Sequence, residues 1–110
     1  MDIASIVKEL NLTVACGDEF LSREVTGGYV GDLLSDVMAN SQAGYLWITR
    51  QTHQNVVAVA SLKDLAGIIL VQGKGPENDT REKATNEGVP ILVTKLSSFE
   101  TAGKLYKLIV

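Results

Sequence analysis

The sequence predicts an α/β fold, a single compact domain with a mainly parallel sheet and helices on both faces. Two observations lead to this prediction. The chain has 110 residues, which is close to the commonest size of one domain. Apolar runs with the length of buried strands alternate with segments in which apolar residues recur at helical spacing. Strands and helices that alternate in this way form parallel sheets with right-handed crossovers.

The first third of the chain predicts one helix and two short strands. Asp2 is placed to cap a helix over residues 3–10, where apolar side chains recur at three- and four-residue spacing. Residues 12–16 form a mostly apolar run that predicts a short strand. A second short extended piece is expected at residues 23–25, where two adjacent glycines soon end it.

The middle of the chain predicts two helices on either side of a buried strand. Asp32 is the expected N-cap of the first helix, since apolar pairs recur four residues apart after it. Residues 45–49 are a nearly continuous apolar run, as expected of a strand covered on both faces. Residues 52–65 contain several valines, which favour a strand, but their length favours a helix with Thr52 near its cap. We therefore predict a helix there.

The last third of the chain shows the alternation most clearly. Residues 67–71 are the strongest strand candidate, and residues 77–87 predict a polar helix that a glycine stops. Residues 90–93 predict the next strand. The last helix begins with a capping box at Ser97. Its predicted apolar face consists of Phe99, Ala102, Leu105, Tyr106 and Ile109.

Composition excludes several classes of protein. The net charge of -3 argues against nucleic acid as a partner, because binding phosphate backbones needs clustered Lys and Arg. No apolar run reaches the length of a membrane span, and the N-terminus lacks the basic start of a secretion signal. One cysteine forms no internal disulfide, and with a single histidine it cannot build a common zinc site. We expect a cytoplasmic domain without metal, cofactor, nucleic acid or membrane partner.

One candidate binding site follows the strand at residues 67–71. Ligands of open parallel sheets bind beyond the carboxyl ends of the strands, where Gly73, Lys74, Gly75 and Glu77 are expected. The glycines would expose backbone N–H groups to an anion, and Lys74 would add a positive charge. The spacing matches neither a Walker loop nor a dinucleotide fingerprint. A plain turn is the alternative.

The sequence shows no combination of residues that is typical of a catalytic site. His53 is the only histidine, and its sequence neighbours include no nucleophile for it to activate. Cys16 ends a predicted strand, where a free cysteine is commonly apolar filling. Asp18 and Glu19 lie in a predicted turn and are expected to be solvated. These observations predict a protein without catalysis.

The segment Thr26-Gly27-Gly28-Tyr29 is the least ordinary part of the sequence. Two adjacent glycines allow backbone to approach closely either an anion or another chain. The carboxylate of Asp32, at the predicted start of a helix, would repel a phosphate there. A polar-ligand site and a subunit contact therefore both remain open.

This segment resembles the DRTGG domain family. Arg23, Thr26, Gly27 and Gly28 match the family's signature, whereas Ser22 stands where the family often has Asp. The resemblance continues along most of the chain, through Tyr29, Asp32, Leu33, Leu34, Ser35 and the segments 55–60, 67–70 and 90–92.

The resemblance implies a regulatory module rather than an enzyme. DRTGG domains occur beside nucleotide-sensing CBS domains in some inorganic pyrophosphatases and in the non-catalytic part of some phosphotransacetylases. The later half is also similar to the N-terminal, non-catalytic domain of HPr kinase, but the sequence has no P-loop and so predicts no kinase. Because the module commonly pairs with its counterpart in related proteins, the resemblance implies a homodimer.

Two hypotheses result. The first is a homodimeric, non-catalytic regulatory or scaffold domain, whose partner protein the sequence does not name. Its ligand-binding or dimer contact would be formed by Arg23, Thr26, Gly27, Gly28, Tyr29 and Asp32. The second is a sensor that binds an adenine nucleotide or another phosphorylated metabolite. Its anion site would be formed by Gly73, Lys74, Gly75 and Glu77.

Overall fold

The computed structural model describes residues 1–110 and contains one five-stranded sheet. The strands are β1 (Thr13–Cys16), β2 (Gly27–Val30), β3 (Tyr45–Thr49), β4 (Gly67–Leu70) and β5 (Ile91–Val93). Their order across the sheet is β1-β5-β4-β3-β2. Strands β2 to β5 are parallel, and β1 pairs antiparallel with β5. The predicted mainly parallel sheet is confirmed.

Helices cover both faces of the sheet, as predicted. They are α1 (Ile3–Leu10), α2 (Leu34–Asn40), α3 (Asn55–Leu62), α4 (Asn78–Glu87) and α5 (Ser98–Ile109), with a short 3-10 helix at Asp18–Phe20. Helices α2, α3 and α4 contribute to one buried apolar cluster, and α1 and α5 contribute to the other. None of these helices has both the length and the apolar character needed to cross a membrane.

The central strands are buried on both sides, which explains their unbroken apolar runs. In β3, Trp47 belongs to the cluster under α2–α4, whereas Leu46 and Ile48 belong to the cluster under α1 and α5. Alternate residues of a strand point to opposite faces, so a doubly covered strand must be apolar at every position. The Trp47 indole N–H donates to the Gly31 carbonyl at 2.8 Å, so this buried polar group is satisfied.

Three predicted helix termini are confirmed. The Asp2 carboxylate accepts a hydrogen bond from the Ser5 N–H at 2.9 Å at the start of α1. Ser97 Oγ accepts from the Glu100 N–H at 3.1 Å at the start of α5. Gly88 ends α4 in the left-handed region, with a φ of 72°.

The strand expected at residues 23–25 is a wrong prediction. The glycines do not end a strand; Gly27 and Gly28 are themselves the first half of β2 and pair with Tyr45 and Leu46. Of the predicted piece, Glu24 forms an isolated bridge to Asp2. Glycine weakens strands in general, but packing on both sides of β2 holds it in this one.

The predicted cap at Asp32 is also wrong, and the cap expected near Thr52 lies two residues later in the chain. Helix α2 begins one residue later than expected, with Leu33 at its cap, because the Asp32 carboxylate binds the end of β3 instead. Helix α3 begins at Asn55 with Gln54 at its cap. The Thr52 carbonyl accepts hydrogen bonds from the start of α4, which keeps this residue outside the helix.

The predicted apolar face of α5 is only partly correct. Leu105 is buried, but Phe99 is 89% and Tyr106 is 66% exposed. Helix α5 packs on β2 and β3 at one margin of the sheet, so it buries a narrower stripe than the apolar pattern suggests. Two large apolar side chains are therefore left at the surface.

Candidate functional site

The two glycines of the Thr-Gly-Gly segment allow close packing on both faces of β2. A Cβ atom at Gly27 would lie 2.5 Å from Cε1 of Tyr45, which covers this position. A Cβ atom at Gly28 would lie 3.2 Å from Cδ2 of Leu105 in α5. Contacts within the chain therefore explain both glycines, a reading that sequence analysis did not anticipate.

The polar neighbours of the glycines also bind within the chain. Thr26 Oγ1 donates to the Ala43 carbonyl at 3.3 Å, and the Thr26 N–H donates to the Gly44 carbonyl at 3.0 Å. The Tyr29 hydroxyl donates to the Asp36 carboxylate of α2. These contacts attach β2 to the turn before β3 and to helix α2.

Arg23 lies apart from this strand. Its guanidinium carbon is 4.9 Å from the centroid of the Phe20 ring, the geometry of a cation–π contact. The same ring lies against Gly88, where an added Cβ would be 3.2 Å from Cζ of Phe20. The Phe20 ring therefore lies next to both Arg23 and the glycine that ends α4.

Asp32 connects the ends of two strands. Its Oδ1 accepts from Thr49 Oγ1 at 2.8 Å and from the Arg50 N–H at 2.9 Å. Partial burial raises the pKa of Asp32, but the hydrogen bonds from Arg50 and Thr49 outweigh this effect and hold the pKa below its usual range. The carboxylate is therefore ionised and neutralised within the chain. The six residues predicted at this site make separate contacts and do not surround one pocket.

An apolar groove does run beside β2. Its volume is about 140 Å³, and it is lined by Gly28, Val30 and Ile48 of the sheet and by one side of α5. Val30 is 47% exposed at the groove, and Tyr106 of α5 is 66% exposed. Strand β2 is the last strand on its side of the sheet, so the groove borders an open edge.

The second predicted site lies where the parallel strands end, which we call the carboxyl edge. Its four predicted residues do not lie together in the structure. Gly73 and Gly75 face a large cavity, whereas Lys74 lines a smaller one with Asp32 and others. Glu77 accepts a hydrogen bond from Thr52 Oγ1 at 3.3 Å. Its carboxylate thus belongs to the contact between α4 and the loop after β3.

The large cavity has a volume of about 820 Å³ and contains residues that sequence analysis missed. Three cations line it, Arg81 of α4, Lys95 after β5 and Lys104 of α5, and none of its lining residues is acidic. Lys95 falls directly after a predicted strand, which is a usable signal. Arg81 and Lys104 lie inside helices, far from any motif.

The wall of this cavity is built from two connected loops. The Gln72 N–H donates to the Leu96 carbonyl at 2.9 Å, and the Gly73 N–H donates to the Thr94 carbonyl at 2.9 Å. The φ of Gly73 is 79°, which a glycine adopts without strain. The loops after β4 and β5 therefore hold each other in place.

The residues considered for catalysis lie in ordinary surroundings. His53 is exposed, and its Nδ1 accepts from the Asn55 N–H at 3.2 Å at the start of α3. Cys16 is buried, and burial raises the pKa of its thiol. The structure contains no cluster of three or more His, Cys, Asp or Glu side chains arranged for a metal ion.

Comparison with known families identifies the chain. A model of the DRTGG domain matches residues 5–108. The chain belongs to the DRTGG domain family. A comparison with curated proteins found no match.

This DRTGG domain also shares its fold with a solved structure. That structure contains the CBS and DRTGG domains of the regulatory region of Clostridium perfringens pyrophosphatase, in complex with the activator diadenosine tetraphosphate. The TM-score is 0.74 with 14% sequence identity over 94% of the present chain. The match spans 45% of the pyrophosphatase chain, so it concerns one part of that regulatory region.

Proposed function

We propose that this DRTGG domain is a non-catalytic regulatory module that pairs with a second copy through β2. The observation that carries the proposal is the open character of this edge. Its sequence, Gly-Gly-Tyr-Val, contains no charged residue and no proline. Monomeric proteins commonly use such residues, or bulges, to protect an exposed strand from pairing.

The opposite edge of the sheet is less suited to pairing. Its strand, β1, has an irregular register between Val14 and Cys16. An irregularity of this kind bends a strand and interrupts its row of backbone groups. Strand β2 pairs in regular register from Gly27 to Val30, so it is the better template for another strand.

A second copy of the chain suits this edge because the contact would be the same on both sides. Two β2 strands related by a two-fold axis can pair antiparallel and join two sheets into one. The exposed side chain of Val30 and that of Tyr106 would then be covered by their symmetry mates. Both flank the groove beside the strand.

Sedimentation velocity over a concentration series tests this pairing. We expect a dimer for the wild type and a monomer for Val30→Lys, because a lysine on an edge strand opposes pairing. Leu62→Lys is the matched control: Leu62 is 73% exposed, but it lies on α3, away from β2. A monomeric wild type, or a Val30→Lys variant that stays dimeric, would exclude pairing through β2.

A second candidate function is binding of an adenine nucleotide or another phosphorylated metabolite. The cationic cavity at the carboxyl edge supports it. Thermal unfolding with AMP, ADP, ATP, NADH, acetyl phosphate and pyruvate tests it. A ligand at about a hundred times its Kd adds roughly 2.7 kcal/mol to the free energy of unfolding. Unchanged melting with every compound would argue against this function.

A further inference from the structure

We infer that the large cavity at the carboxyl edge binds an organic phosphate of nucleotide size that carries two or more negative charges. Arg81, Lys95 and Lys104 would hold the phosphates. The inference rests on the metabolite-binding function proposed above and assigns it to residues outside the predicted Gly73–Glu77 set. The charge, the hydrogen bonding, the open space and the apolar wall of the cavity each support it.

The charge of the cavity is opposite to that of the whole chain. The chain carries a net charge of -3, yet three cations line this cavity and no lining residue is acidic. The three come from different elements: Arg81 from α4, Lys95 from the loop after β5, and Lys104 from α5. Like charges gathered from distant parts of a chain repel one another, so an anion between them stabilises the arrangement.

The three cationic side chains have hydrogen-bond donors that no protein group accepts from. The ammonium groups of Lys95 and Lys104 form no ion pair and no hydrogen bond with the protein, in contrast to the Arg50 guanidinium, which binds Asp32. Nη1 of Arg81 donates to the Ala15 carbonyl at 2.7 Å, which fixes the side chain beside β1. The other nitrogens of its guanidinium have no protein acceptor. One anchored guanidinium and two unpaired ammonium groups are suitable donors for a phosphate ester.

Gly75 is a glycine that the fold itself does not require. Its φ is not positive, and nothing lies within 4 Å of the position that a Cβ would occupy. Gly73 differs, because its φ of 79° favours glycine on backbone grounds. Since Gly75 lines the cavity, the absence of a side chain there keeps the space open.

The size and apolar wall of the cavity select the class of ligand. A volume of about 820 Å³ is within the range of roughly 300–1,000 Å³ that small-molecule sites occupy. Leu10, Val14, Val93 and Leu96 line it beside the cations. A phosphate ester with an organic part can use both the cations and this wall, whereas inorganic phosphate or pyrophosphate uses only the cations.

Titration calorimetry with the full chain tests the assignment, with ATP, ADP, pyrophosphate and adenosine as probes. We expect ATP and ADP to bind more tightly than pyrophosphate, and adenosine to bind weakest. Lys95→Gln and Lys104→Gln should each weaken ATP binding about tenfold, the usual scale for losing a charged hydrogen bond. Lys107→Gln is the control, since Lys107 is exposed on the same helix but outside the cavity. Its Kd for ATP should equal that of the wild type.

A variant that adds a side chain inside the cavity tests the contribution of open space to ATP binding separately from that of charge. Gly75→Val should weaken ATP binding by taking up part of the cavity, while its Tm stays close to the wild type because nothing surrounds the new side chain. If ATP binds but Lys95→Gln, Lys104→Gln and Gly75→Val all keep the wild-type Kd, the cavity assignment is wrong and metabolite binding lies elsewhere. If neither ATP nor ADP binds the wild type, the cavity assignment is wrong; the metabolite-binding function is wrong as well only if every compound of the thermal-unfolding series also leaves the melting unchanged. Pyrophosphate binding as tight as that of ATP would exclude a role for the apolar wall.

Discussion

The Asp32 carboxylate holds both the backbone and the side chain of Arg50. Oδ1 accepts from the Arg50 N–H at 2.9 Å, and Oδ2 lies 3.0 Å from both Nε and Nη2 of the guanidinium. Asp32 follows β2 and Arg50 follows β3. Because the two strands are neighbours, this contact fastens the carboxyl end of the edge strand to the interior of the sheet.

Replacing Asp32 by asparagine should destabilise the fold moderately. Asparagine keeps one oxygen that accepts hydrogen bonds, but it loses the charge and the second oxygen that faces the Arg50 guanidinium. The pair is partly exposed to solvent, so we expect a loss of about 1 kcal/mol, which corresponds to about 4 °C in Tm. Thermal unfolding followed by circular dichroism measures this change.

Asp64→Asn is the matched control for that substitution. Asp64 is exposed, and its side chain accepts no hydrogen bond. Its φ of 55° lies in the left-handed region, which asparagine also tolerates. An equal loss of stability in Asp32→Asn and Asp64→Asn would show that the contact with Arg50 contributes nothing.

The contribution of Asp32 should disappear in acid. Its pKa in the folded protein is lowered below the ordinary 3.8, so the unfolded chain binds its proton first as the pH falls. The stabilisation is present above pH 3.8 and is lost as the pH drops through the lower folded-state value. Urea unfolding of wild type and Asp32→Asn should therefore show a gap in stability that is constant near neutral pH and narrows below 3.8. A gap that widens in acid would mean that the folded pKa is raised.

Most of the architecture could be predicted because its signals are local. The buried strands β3 and β4 are unbroken apolar runs, and the caps at Asp2 and Ser97 are formed with residues three positions away. Such patterns depend on the period of a helix or strand and on nearby backbone groups. They need no knowledge of distant parts of the chain.

The wrong predictions occur where a contact with a residue far away in the sequence determines the local structure. Asp32 has the sequence context of a helix cap, but its partners Thr49 and Arg50 lie in the next strand and the residue after it. Gly27 looks like the end of a strand because nothing in the sequence places the ring of Tyr45 against it. In both cases a tertiary contact outweighs the local preference.

The candidate site was harder to predict than the fold. The Gly73–Gly75 turn was found from its glycines, and the structure does place both of them at a cavity. The cations Arg81 and Lys104 lie in the interiors of helices, where a basic residue is usually just a solvated surface group. Arg81 and Lys104 come together only because α4, β5 and α5 all border the same cavity at one edge of the sheet.

Cys16 should be nearly unreactive in the folded protein. It is 7% exposed, and burial raises the pKa of its thiol, so few thiolates are present near neutral pH. We expect labelling with an aromatic disulfide to be slower than in urea by about tenfold or more, because reaction requires local opening. A native labelling rate equal to the unfolded rate would mean that the end of β1 opens readily.

Alanine should be costlier at Gly27 than at Gly28. The new Cβ at Gly27 would lie 2.5 Å from the ring of Tyr45, so the ring must leave its place. At Gly28 the nearest atom is the flexible end of Leu105, at 3.2 Å, which can move by a few tenths of an ångström. We expect Gly27→Ala to lose about 1–3 kcal/mol and Gly28→Ala to lose less than about 1 kcal/mol in urea unfolding.

A double-mutant cycle identifies the cause of the loss at Gly27. If the clash with Tyr45 is responsible, the cost of Gly27→Ala should be much smaller in a Tyr45→Ala background, where no ring lies in the way. The φ of Gly27 is not positive, so alanine meets no backbone strain that would persist in that background. An undiminished cost in the double variant would assign the role of this glycine to the strand backbone instead.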